Sequence, residues 1–402
     1  MSAAPDPFHL AQGALGTGPA ILREVFSLSL QPGVVSFAIG LPATDLFPAA
    51  ELARAATDLL ARRPESLQYG MPSQRLKTKI VELMALRGVD CSPVQIFLTS
   101  GAQQGTDLLA HLLLDPHGQV MIERTVYEVT QGTVRKFAPE LLTLPTDPES
   151  GLDLDALEAM LAAGARPAFL YTIPTGHNPL GVSLGAESRR RLAAIARRYA
   201  MPVLEDDAYG FLGEETDAPV PALRAFEDRW VFYVGSFSKI LAPSLRVGWL
   251  VVPEELIPRL QALKQGIDID TSTLSQALVA AYLEAGHLPA HLARLRATYR
   301  QRRDALLGAL AEHFPAAARW NRPTDGMFLW VELPPAVDAT ALLRTAVETE
   351  RVAFSPGAAF AAGGGRHADS CLRLSYANLP PEEIDEGVRR LARVVRRALG
   401  KS

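Results

Sequence analysis

Short apolar segments alternate with longer amphipathic segments through most of this chain, and this alternation is the strongest constraint on its fold. The apolar segments are typical of strands that are buried on both faces, as in a parallel sheet covered by helices. We predict strands at 95–99, 119–123, 167–173, 202–205, 231–234 and 247–252, and helices at 103–114 and 187–199. This order predicts an α/β fold with a mostly parallel sheet and right-handed crossovers.

The pattern changes after about residue 285. We predict a long charged helix at 288–314, strands at 326–332, 352–354 and 371–375, and a final helix at 381–399. This second pattern is typical of a smaller α+β domain.

The length of 402 residues exceeds what one hydrophobic core usually holds. We therefore predict a large domain at 49–287 and a small domain at 288–402. The N-terminal segment 1–48 is expected to be part of the small domain. The glycine-rich segment 361–366 is interpreted as a flexible loop, because no strand leads directly into a helix there.

Composition and charge exclude several functional classes. The chain has 48% hydrophobic and 21% charged residues, as in ordinary globular proteins, and its net charge of -4 gives no reason to expect nucleic acid. The basic run at 189–191 is interpreted as a solvated helix face. Two cysteines without metal-ligand spacing indicate a reducing compartment. The sequence shows neither a signal peptide nor a membrane-spanning run, so we expect a cytoplasmic protein.

A lysine preceded by two serines follows the predicted strand at 231–234. Ser236, Ser238 and Lys239 lie there, and Arg246 follows the lysine by seven residues. Lys239 differs from an ordinary surface lysine because its neighbours in sequence are apolar or small. Desolvation and a nearby cation would lower its pKa and make it a usable nucleophile. Its amine could hold an aldehyde while the serines and the arginine bind a phosphate.

A second polar cluster follows the predicted strand at 202–205, and ligands of open α/β sheets bind at such strand ends. Asp206 could pair with a protonated ring nitrogen, Tyr209 could donate to a ring oxygen, and Ala208 could lie under a flat ring. Asn178 is a second candidate for the ring oxygen. Alone, the aspartate could cap a helix and the asparagine could mark a turn. Together with Lys239, these residues predict a site for pyridoxal 5'-phosphate.

Two further segments fit an anionic ligand. Residues 100–104 follow a predicted strand and open a helix, where backbone N–H groups and the helix dipole favour an anion, although serine and glycine are also ordinary caps there. Arg373 lies within an apolar strand, and a buried guanidinium needs an anionic partner. That partner could be a structural carboxylate or the carboxylate of a substrate.

Two other motifs partly match the patterns of enzymes with different chemistry. Ser236 and Lys239 fit the S-x-x-K pattern of serine hydrolases, but the S-D-N and K-T-G motifs of those enzymes are absent from the sequence. His287 and His291 have the spacing of two metal ligands without the H-E-x-x-H pattern, so no metal site is predicted.

The ordered series of these residues resembles the fold-type I aminotransferases that depend on pyridoxal 5'-phosphate, in the subgroup of 2-aminoadipate and kynurenine aminotransferases. The resemblance extends from Gly40 to Tyr376 and so covers nearly the whole chain. It implies the fold of that family, pyridoxal 5'-phosphate as cofactor and a homodimer. The implied reaction moves an amino group between an L-amino acid of the 2-aminoadipate, glutamate, leucine or aromatic type and a 2-oxo acid such as 2-oxoglutarate.

The resemblance also implies a role for each matching residue. Lys239 would form the Schiff base, Asp206 would pair with the ring nitrogen, and Arg373 would bind the substrate α-carboxylate. Tyr127, Asn178 and Tyr209 would contact the cofactor ring. Its phosphate would be bound by Ala102, Gln103, Ser236, Ser238 and Arg246, and Tyr69 would bind the phosphate in the partner subunit. The substrate would also be contacted by Gly40, Asn178 and Arg23. Arg23 would read an acidic side chain, unless it is an exposed helix residue.

Two positions depart from the family pattern. Leu180 replaces the usual threonine between Pro179 and Gly181, and Ala102 replaces a common serine, which would weaken phosphate binding slightly. A β-lyase or decarboxylase on the same fold would have a similar cofactor pocket and stays open as an alternative. A transcription regulator with an aminotransferase-like domain would need an N-terminal winged helix, for which the segment before Gly40 is too short.

Overall fold

The structure is a computed structural model that describes residues 20–137, 140–213 and 219–400. The helices in these ranges are α1 (Ala20–Ser29), α2 (Ala49–Arg62), α3 (Gln74–Ala85), α4 (Ala102–Leu113), α5 (Glu128–Arg135), α6 (Leu154–Ala162), α7 (Ala186–Tyr199), α8 (Ile257–Gln265), α9 (Thr273–Glu284), α10 (Leu288–His313), α11 (Ala339–Glu350) and α12 (Pro381–Ala398). None of these described helices is both long enough and apolar enough to cross a membrane.

The strands form one large sheet and several smaller ones. They are β1 (Val35–Ser36), β2 (Ile96–Thr99), β3 (Gln119–Glu123), β4 (Glu140–Leu144), β5 (Thr146–Asp147), β6 (Gly151–Leu152), β7 (Leu170–Thr172), β8 (Val203–Asp206), β9 (Val231–Ser236), β10 (Gly248–Val251), β11 (Arg319–Trp320), β12 (Phe328–Glu332), β13 (Val352–Ala353), β14 (Ser355–Pro356) and β15 (Cys371–Ser375). Each strand predicted from the sequence is present, with bounds that differ by up to three residues.

The large sheet has the order β2-β10-β9-β8-β7-β3-β4. Its neighbouring strands are parallel, except that β10 is antiparallel to both β9 and β2. The residues of β2, β8, β9 and β10 are buried throughout, as expected for strands that have helices on both faces. The mostly parallel α/β sheet predicted from the sequence is therefore confirmed.

Local sequence explains where several helices begin. The side chain of Ser73 accepts a hydrogen bond from the Leu76 amide before α3, and Asp153 and Asp338 cap α6 and α11 in the same way. The helix α4 instead follows Gly101, whose φ of 92° is a left-handed conformation that glycine adopts without strain. The amides at the start of α4 are consequently left without a side-chain cap.

A second sheet has the order β11-β12-β15-β14, and its register places Arg373 of β15 opposite Trp330 and Ser355. The N-terminal strand β1 pairs in parallel with β13, so Val35 lies opposite Val352. The N-terminal segment thus adds a strand to the region after residue 288. The domain boundaries themselves stay a prediction.

The structure corrects one interpretation of the basic run at 189–191. Arg190 and Arg191 are exposed, but Arg189 is buried. Its guanidinium donates to the carbonyl oxygens of Leu184, Pro174 and Pro221. The guanidinium also donates to Thr175 Oγ1, and its Nη1 lies 4.0 Å from Glu205 Oε1, so buried acceptors and a buried carboxylate compensate for its burial.

Candidate active site

A cavity of about 290 Å³ lies between the strand ends of the large sheet and the second sheet. Asp206 and Ser236 reach it from the ends of β8 and β9, and Phe328, Ser355 and Arg373 reach it from β12, β14 and β15. The predicted site residues that line it are Gly40, Ala102, Gln103, Tyr127, Asn178, Asp206, Tyr209, Ser236, Ser238, Lys239, Arg246 and Arg373. Residues distant in the sequence therefore meet in one place.

Lys239 lies in the cavity with its amine directed at the backbone of another segment. Its Nζ donates a hydrogen bond of 2.9 Å to the carbonyl oxygen of Gly40. Burial and, to a smaller extent, the nearby Arg373 cation lower the pKa of Lys239 to about 8, although Asp206 acts in the opposite direction. The lowered pKa increases the neutral, nucleophilic fraction of this amine near pH 7.

Gly40 has no room for a side chain. A Cβ at this position would lie 2.7 Å from the Phe328 ring, which is closer than packed carbon atoms approach. The absence of a side chain allows the backbone of Gly40 to face Lys239 while Phe328 fills the space behind it.

Asp206 is buried and only half of its carboxyl group is paired. The Tyr171 hydroxyl donates a hydrogen bond of 2.6 Å to Oδ2, whereas Oδ1 has no hydrogen-bond partner among the described residues. Burial raises the pKa of Asp206 to about 6, against the opposing effect of the Tyr171 hydrogen bond. The group is therefore mainly ionised at pH 7, with a free oxygen for a cationic N–H donor.

Hydroxyl, amide and guanidinium donors converge at the start of α4. Arg246 is exposed, and its Nη2 donates to the carbonyl oxygen of Ser100 over 2.8 Å. Ser236 Oγ and Ser238 Oγ are 2.9 Å apart. A Cβ at Gly101 would lie 2.5 Å from Arg246 Nη2, so only glycine lets the guanidinium approach the helix start. This arrangement has the donors and the positive charge that a phosphate requires.

The Arg373 guanidinium is buried between two aromatic rings. Its Cζ lies 4.5 Å from the centre of the Phe328 ring and 4.7 Å from that of Phe360. It donates to Asn178 Oδ1 over 2.8 Å, to the Ala38 carbonyl oxygen and to Ser355 Oγ. These acceptors are uncharged, and Nε has no partner among the described residues. A guanidinium fixed in this way presents its charge to an incoming carboxylate.

Two tyrosines close the cavity around these charged groups. Burial raises the pKa of both Tyr127 and Tyr209 well above the usual range, so both hydroxyls keep their protons at neutral pH. The Tyr209 ring packs edge-on against Phe328 with a centroid distance of 5.7 Å. Each tyrosine thus offers an aromatic surface and a hydroxyl donor to the same space.

A buried layer of charged residues lies behind the site and holds its loops. The Arg87 Nε donates to Asp207 Oδ2 over 2.9 Å, and the Tyr233 hydroxyl donates to the same oxygen over 2.9 Å. His177 Nε2 lies 3.1 Å from Glu123 Oε2, next to Asn178 in sequence. These contacts fix the backbone on both sides of Asp206 and Asn178, which supports the orientation of both side chains.

Two residues with predicted roles lie outside the cavity of this chain. Arg23 lies on α1 and is exposed, and it is not among the described residues that line the cavity. This exposed position fits the alternative interpretation of an exposed helix residue, and a role of Arg23 in reading an acidic side chain stays a prediction. Tyr69 is 81% exposed and also lies away from the cavity, so a role in the partner's site stays a prediction.

Sequence reasoning missed four residues that shape the site. Tyr171 and Ser355 orient Asp206 and Arg373, Phe360 covers the Arg373 guanidinium, and Glu128 lines the cavity. Tyr171 could have been noticed as a hydroxyl within a predicted buried strand, and Glu128 as the neighbour of Tyr127. The other two depend on tertiary contacts that no local pattern shows.

The donors and acceptors present fit pyridoxal 5'-phosphate. The free Oδ1 of Asp206 matches a ring N–H, the start of α4 with Arg246 matches a phosphate, and the Lys239 amine matches an aldehyde. The separate positions of these three groups around one cavity match the three chemically different parts of that cofactor.

Comparisons with known proteins agree with this geometry. The family model described as aminotransferase class I and II matches residues 32–391. A 2-aminoadipate transaminase of Thermus thermophilus is 40% identical over 395 residues, covering 96% of this chain and 96% of the relative. An aromatic-amino-acid aminotransferase of Thermococcus litoralis is 34% identical over 402 residues, covering 98% of this chain and 95% of the relative.

A solved structure has a sequence identity to this chain close to that of these relatives. The α-aminoadipate aminotransferase of Thermus thermophilus, complexed with N-(5'-phosphopyridoxyl)-L-leucine, has a TM-score of 0.89 and 39% identity. The match covers 97% of this chain and 98% of that structure. The similarity therefore extends over both sheets and over the cavity between them.

Proposed function

Because this chain belongs to the class I and II aminotransferase family and is a transaminase that depends on pyridoxal 5'-phosphate, we propose a specific assignment of its substrates and residues. It moves the amino group of an L-amino acid of the 2-aminoadipate, glutamate, leucine or aromatic type to a 2-oxo acid such as 2-oxoglutarate. The names of the relatives support these substrate classes.

The observation that carries this proposal is the position of Lys239 and Asp206 in one cavity. The amine has a lowered pKa, and the carboxyl has a buried oxygen without a partner among the described residues. A lysine nucleophile alone would suit many enzymes. The addition of the unpartnered Asp206 oxygen and the anion-binding start of α4 favours a phosphorylated pyridine aldehyde over other ligands.

Each residue then has a defined task. Bound pyridoxal 5'-phosphate supplies an electron sink that makes the substrate α-proton removable. Lys239 takes that proton from the α-carbon and returns it, which needs an amine that is neutral in part near pH 7. Asp206 holds a proton on the ring nitrogen, and Arg373 binds the α-carboxylate and so orients the α-carbon towards Lys239.

The remaining residues that line the cavity bind the cofactor or enclose the substrate. Tyr127 stacks on the ring, and Asn178 and Tyr209 bind its hydroxyl oxygen. The phosphate is bound by Ala102, Gln103, Ser236, Ser238 and Arg246. Gly40 keeps the backbone close to the substrate, and Phe328 with the tyrosines excludes water from the reacting atoms.

The experiment for this proposal follows both substrates of one reaction. The purified protein is loaded with pyridoxal 5'-phosphate, and 2-oxoglutarate is supplied with leucine, phenylalanine or 2-aminoadipate in turn. We expect a cofactor absorbance band and equimolar formation of glutamate and the new 2-oxo acid. Release of carbon dioxide without glutamate would instead identify a decarboxylase, and release of ammonia from cysteine, which carries a β-leaving group, would identify a β-lyase.

We propose further that the active unit is a symmetric homodimer in which Tyr69 completes the neighbouring site. The side chains of Leu67, Tyr69 and Met71 are 67%, 81% and 82% exposed. Three large exposed side chains within five residues are costly to leave in water, and a second copy of the chain would cover them.

Mixed dimers of two impaired variants test this arrangement. Lys239→Ala and Tyr69→Ala subunits are refolded together in equal amounts. A mixed dimer then has one site with both residues intact, and we expect activity to return to about a quarter of the wild-type value, because half of the dimers are mixed and half of their sites are intact. Mixtures of Lys239→Ala with Asp206→Asn serve as the control, since both residues belong to one chain's site and no intact site forms. Equal activity in the two mixtures, or a fully active monomer by light scattering, would contradict the proposal.

A further inference from the structure

A buried lysine beside the start of α4 has no task in the proposed reaction. Lys264 of α8 is 3% exposed, and it is not among the described residues that line the cavity. An ammonium group is costly to bury unless hydrogen bonds and an opposite charge compensate for the lost water. The partners of Lys264 therefore indicate which part of the protein it supports.

The amine of Lys264 contacts two side chains that also contact each other. Its Nζ donates to Asp268 Oδ1 and to Gln104 Oε1, each over 2.8 Å. Gln104 Nε2 donates to Asp268 Oδ2 over 2.6 Å. Burial alone would raise the pKa of Asp268, but hydrogen bonds from Lys264 and Gln104 lower it, so this carboxyl is ionised at neutral pH. These three residues, the Lys264 cluster, thus pair one positive with one negative charge.

Gln104 connects the Lys264 cluster to the backbone that precedes α4. Its Oε1 also accepts a hydrogen bond of 2.7 Å from the Ser100 amide, and the Ser100 hydroxyl donates to Asp268 Oδ2 over 3.1 Å. The carbonyl oxygen of Ser100 accepts from Arg246 Nη2 over 2.8 Å. The Ser100 backbone is consequently held on one side by the Lys264 cluster and on the other by the arginine assigned to the phosphate.

This arrangement sets the direction of the amides that face an anion. The first amides of a helix have no acceptor within the helix, and Gly101 supplies no side chain that could cap them. Gln104 binds the Ser100 amide, which precedes the helix, and leaves those of Ala102 and Gln103 to a ligand. Their direction depends on how firmly the backbone just before them is held.

We propose that Lys264 is a positioning residue for the phosphate of the cofactor. It fixes the Gln104 side chain, which holds the Ser100 backbone, and that backbone directs the first amides of α4 at the phosphate. The inference rests on the proposed function, because the phosphate is that of pyridoxal 5'-phosphate. Since the charges of Lys264 and Asp268 are in direct contact, their fields largely cancel, and the expected contribution is orientation. Donors that are already fixed bind an anion more tightly than mobile ones, because less freedom is lost on binding.

Pyridoxamine 5'-phosphate and pyridoxamine form the probe pair, because they differ only in the phosphate and form no bond with Lys239. Each is titrated into the apoprotein by calorimetry, so the measurement does not depend on turnover. In Lys264→Met, which keeps the length of the buried side chain, the dissociation constant of pyridoxamine 5'-phosphate is expected to rise about tenfold, and that of pyridoxamine is expected to stay unchanged. An equal loss for both ligands would show that Lys264 only stabilises the fold, and would overturn the inference.

Gln104→Met tests the route of the effect. It is expected to lower the preference for the phosphorylated ligand about tenfold as well, and the double variant with Lys264→Met should lose no more than Gln104→Met alone, because both substitutions break one chain of contacts. Losses that multiply in the double variant would mean that Lys264 does not act through Gln104. Since Gln104 is only partly buried, its variant also decides the question if Lys264→Met does not fold.

Two further variants separate orientation from charge. Lys264→Met leaves Asp268 without its cation, so Asp268→Asn is combined with it, and we expect the tenfold loss to remain. Recovery of the preference would show that the charge of the lysine acts on the phosphate, which contradicts a positioning role. Lys79→Met removes a lysine that pairs with Glu82 on α3, outside the described lining, and should leave both dissociation constants unchanged. A comparable loss in this control would overturn the inference.

The same ligand pair separates this inference from the proposed function. The wild type is expected to bind pyridoxamine 5'-phosphate much more tightly than pyridoxamine. A wild type without this preference would contradict the proposed function and the inference together. A normal preference that both Lys264→Met and Gln104→Met leave unchanged would overturn the role of Lys264 alone.

Discussion

The Lys239→Ala variant is expected to lose turnover by about 10⁴-fold or more, because one residue supplies both the covalent attachment and the proton transfer. The cavity offers no replacement close by: Arg246 and Arg373 are the other cationic residues among its described lining, and neither can release a proton near pH 7. The variant should also lose the pH-sensitive component of the cofactor absorbance, while it still binds the cofactor through Asp206 and the start of α4.

Steady-state assays and absorbance spectra at several pH values check this result. Lys136→Ala serves as the control, because Lys136 is exposed and pairs with Asp107 on the surface. The control should keep wild-type turnover and spectra. Turnover within tenfold of the wild type in Lys239→Ala would show that another group carries the proton, and the assignment of this lysine would be wrong.

The second large effect is expected for Arg373→Gln, in which kcat/KM for leucine should fall by roughly 10³-fold. Loss of a buried, charge-assisted contact to the α-carboxylate costs about 4 kcal/mol, which corresponds to that factor. Arg373→Lys should recover only part of the loss, because a lysine has the charge but not the planar pair of N–H donors that Asn178 and Ser355 hold in place.

A substrate without a carboxylate separates binding from general damage to the fold. 3-Methylbutylamine is leucine without its carboxylate, and its slow reaction with the holoenzyme should be nearly equal in the wild type and in Arg373→Gln. Arg366→Gln is the control, since Arg366 is exposed and pairs with Asp369. If Arg373→Gln slowed leucine and the amine by the same factor, the guanidinium would not be the carboxylate anchor.

The sequence was sufficient for the parts of the fold that depend on local pattern. The strands that carry Asp206 and Ser236 are buried on both faces, so their apolar residues form continuous runs that stand out from the flanking helices. The edge strand β4 was not predicted, because its residues are largely half-exposed and lack such a run. The antiparallel direction of β10 was not predicted either, since direction depends on the route of the chain after Lys239 rather than on the composition of the strand.

The site was predictable where a reacting group lies next to a strand end, as for Asp206, Ser236 and Lys239. Residues that act through tertiary contacts were not predictable from the sequence, because their partners are distant in the chain. Ser355 orients Arg373 across a strand pair, and Tyr171 meets Asp206 from the neighbouring strand. Arg189 illustrates the converse case: a basic run suggests solvent, whereas the burial of this guanidinium is explained by backbone carbonyl oxygens, the Thr175 hydroxyl and the Glu205 carboxylate, which are distant from any local pattern.

The pairing of β1 with β13 has a consequence for the order of events during synthesis. The carbonyl oxygen of Ala38, just after β1, accepts hydrogen bonds from Ser355 and Arg373, and Gly40 faces Lys239. The N-terminal strand therefore leaves the ribosome long before the residues that it pairs with, and it has to wait unpaired until almost the whole chain has been translated. A nascent chain truncated before residue 352 could form the large sheet, but it would lack a closed substrate cavity.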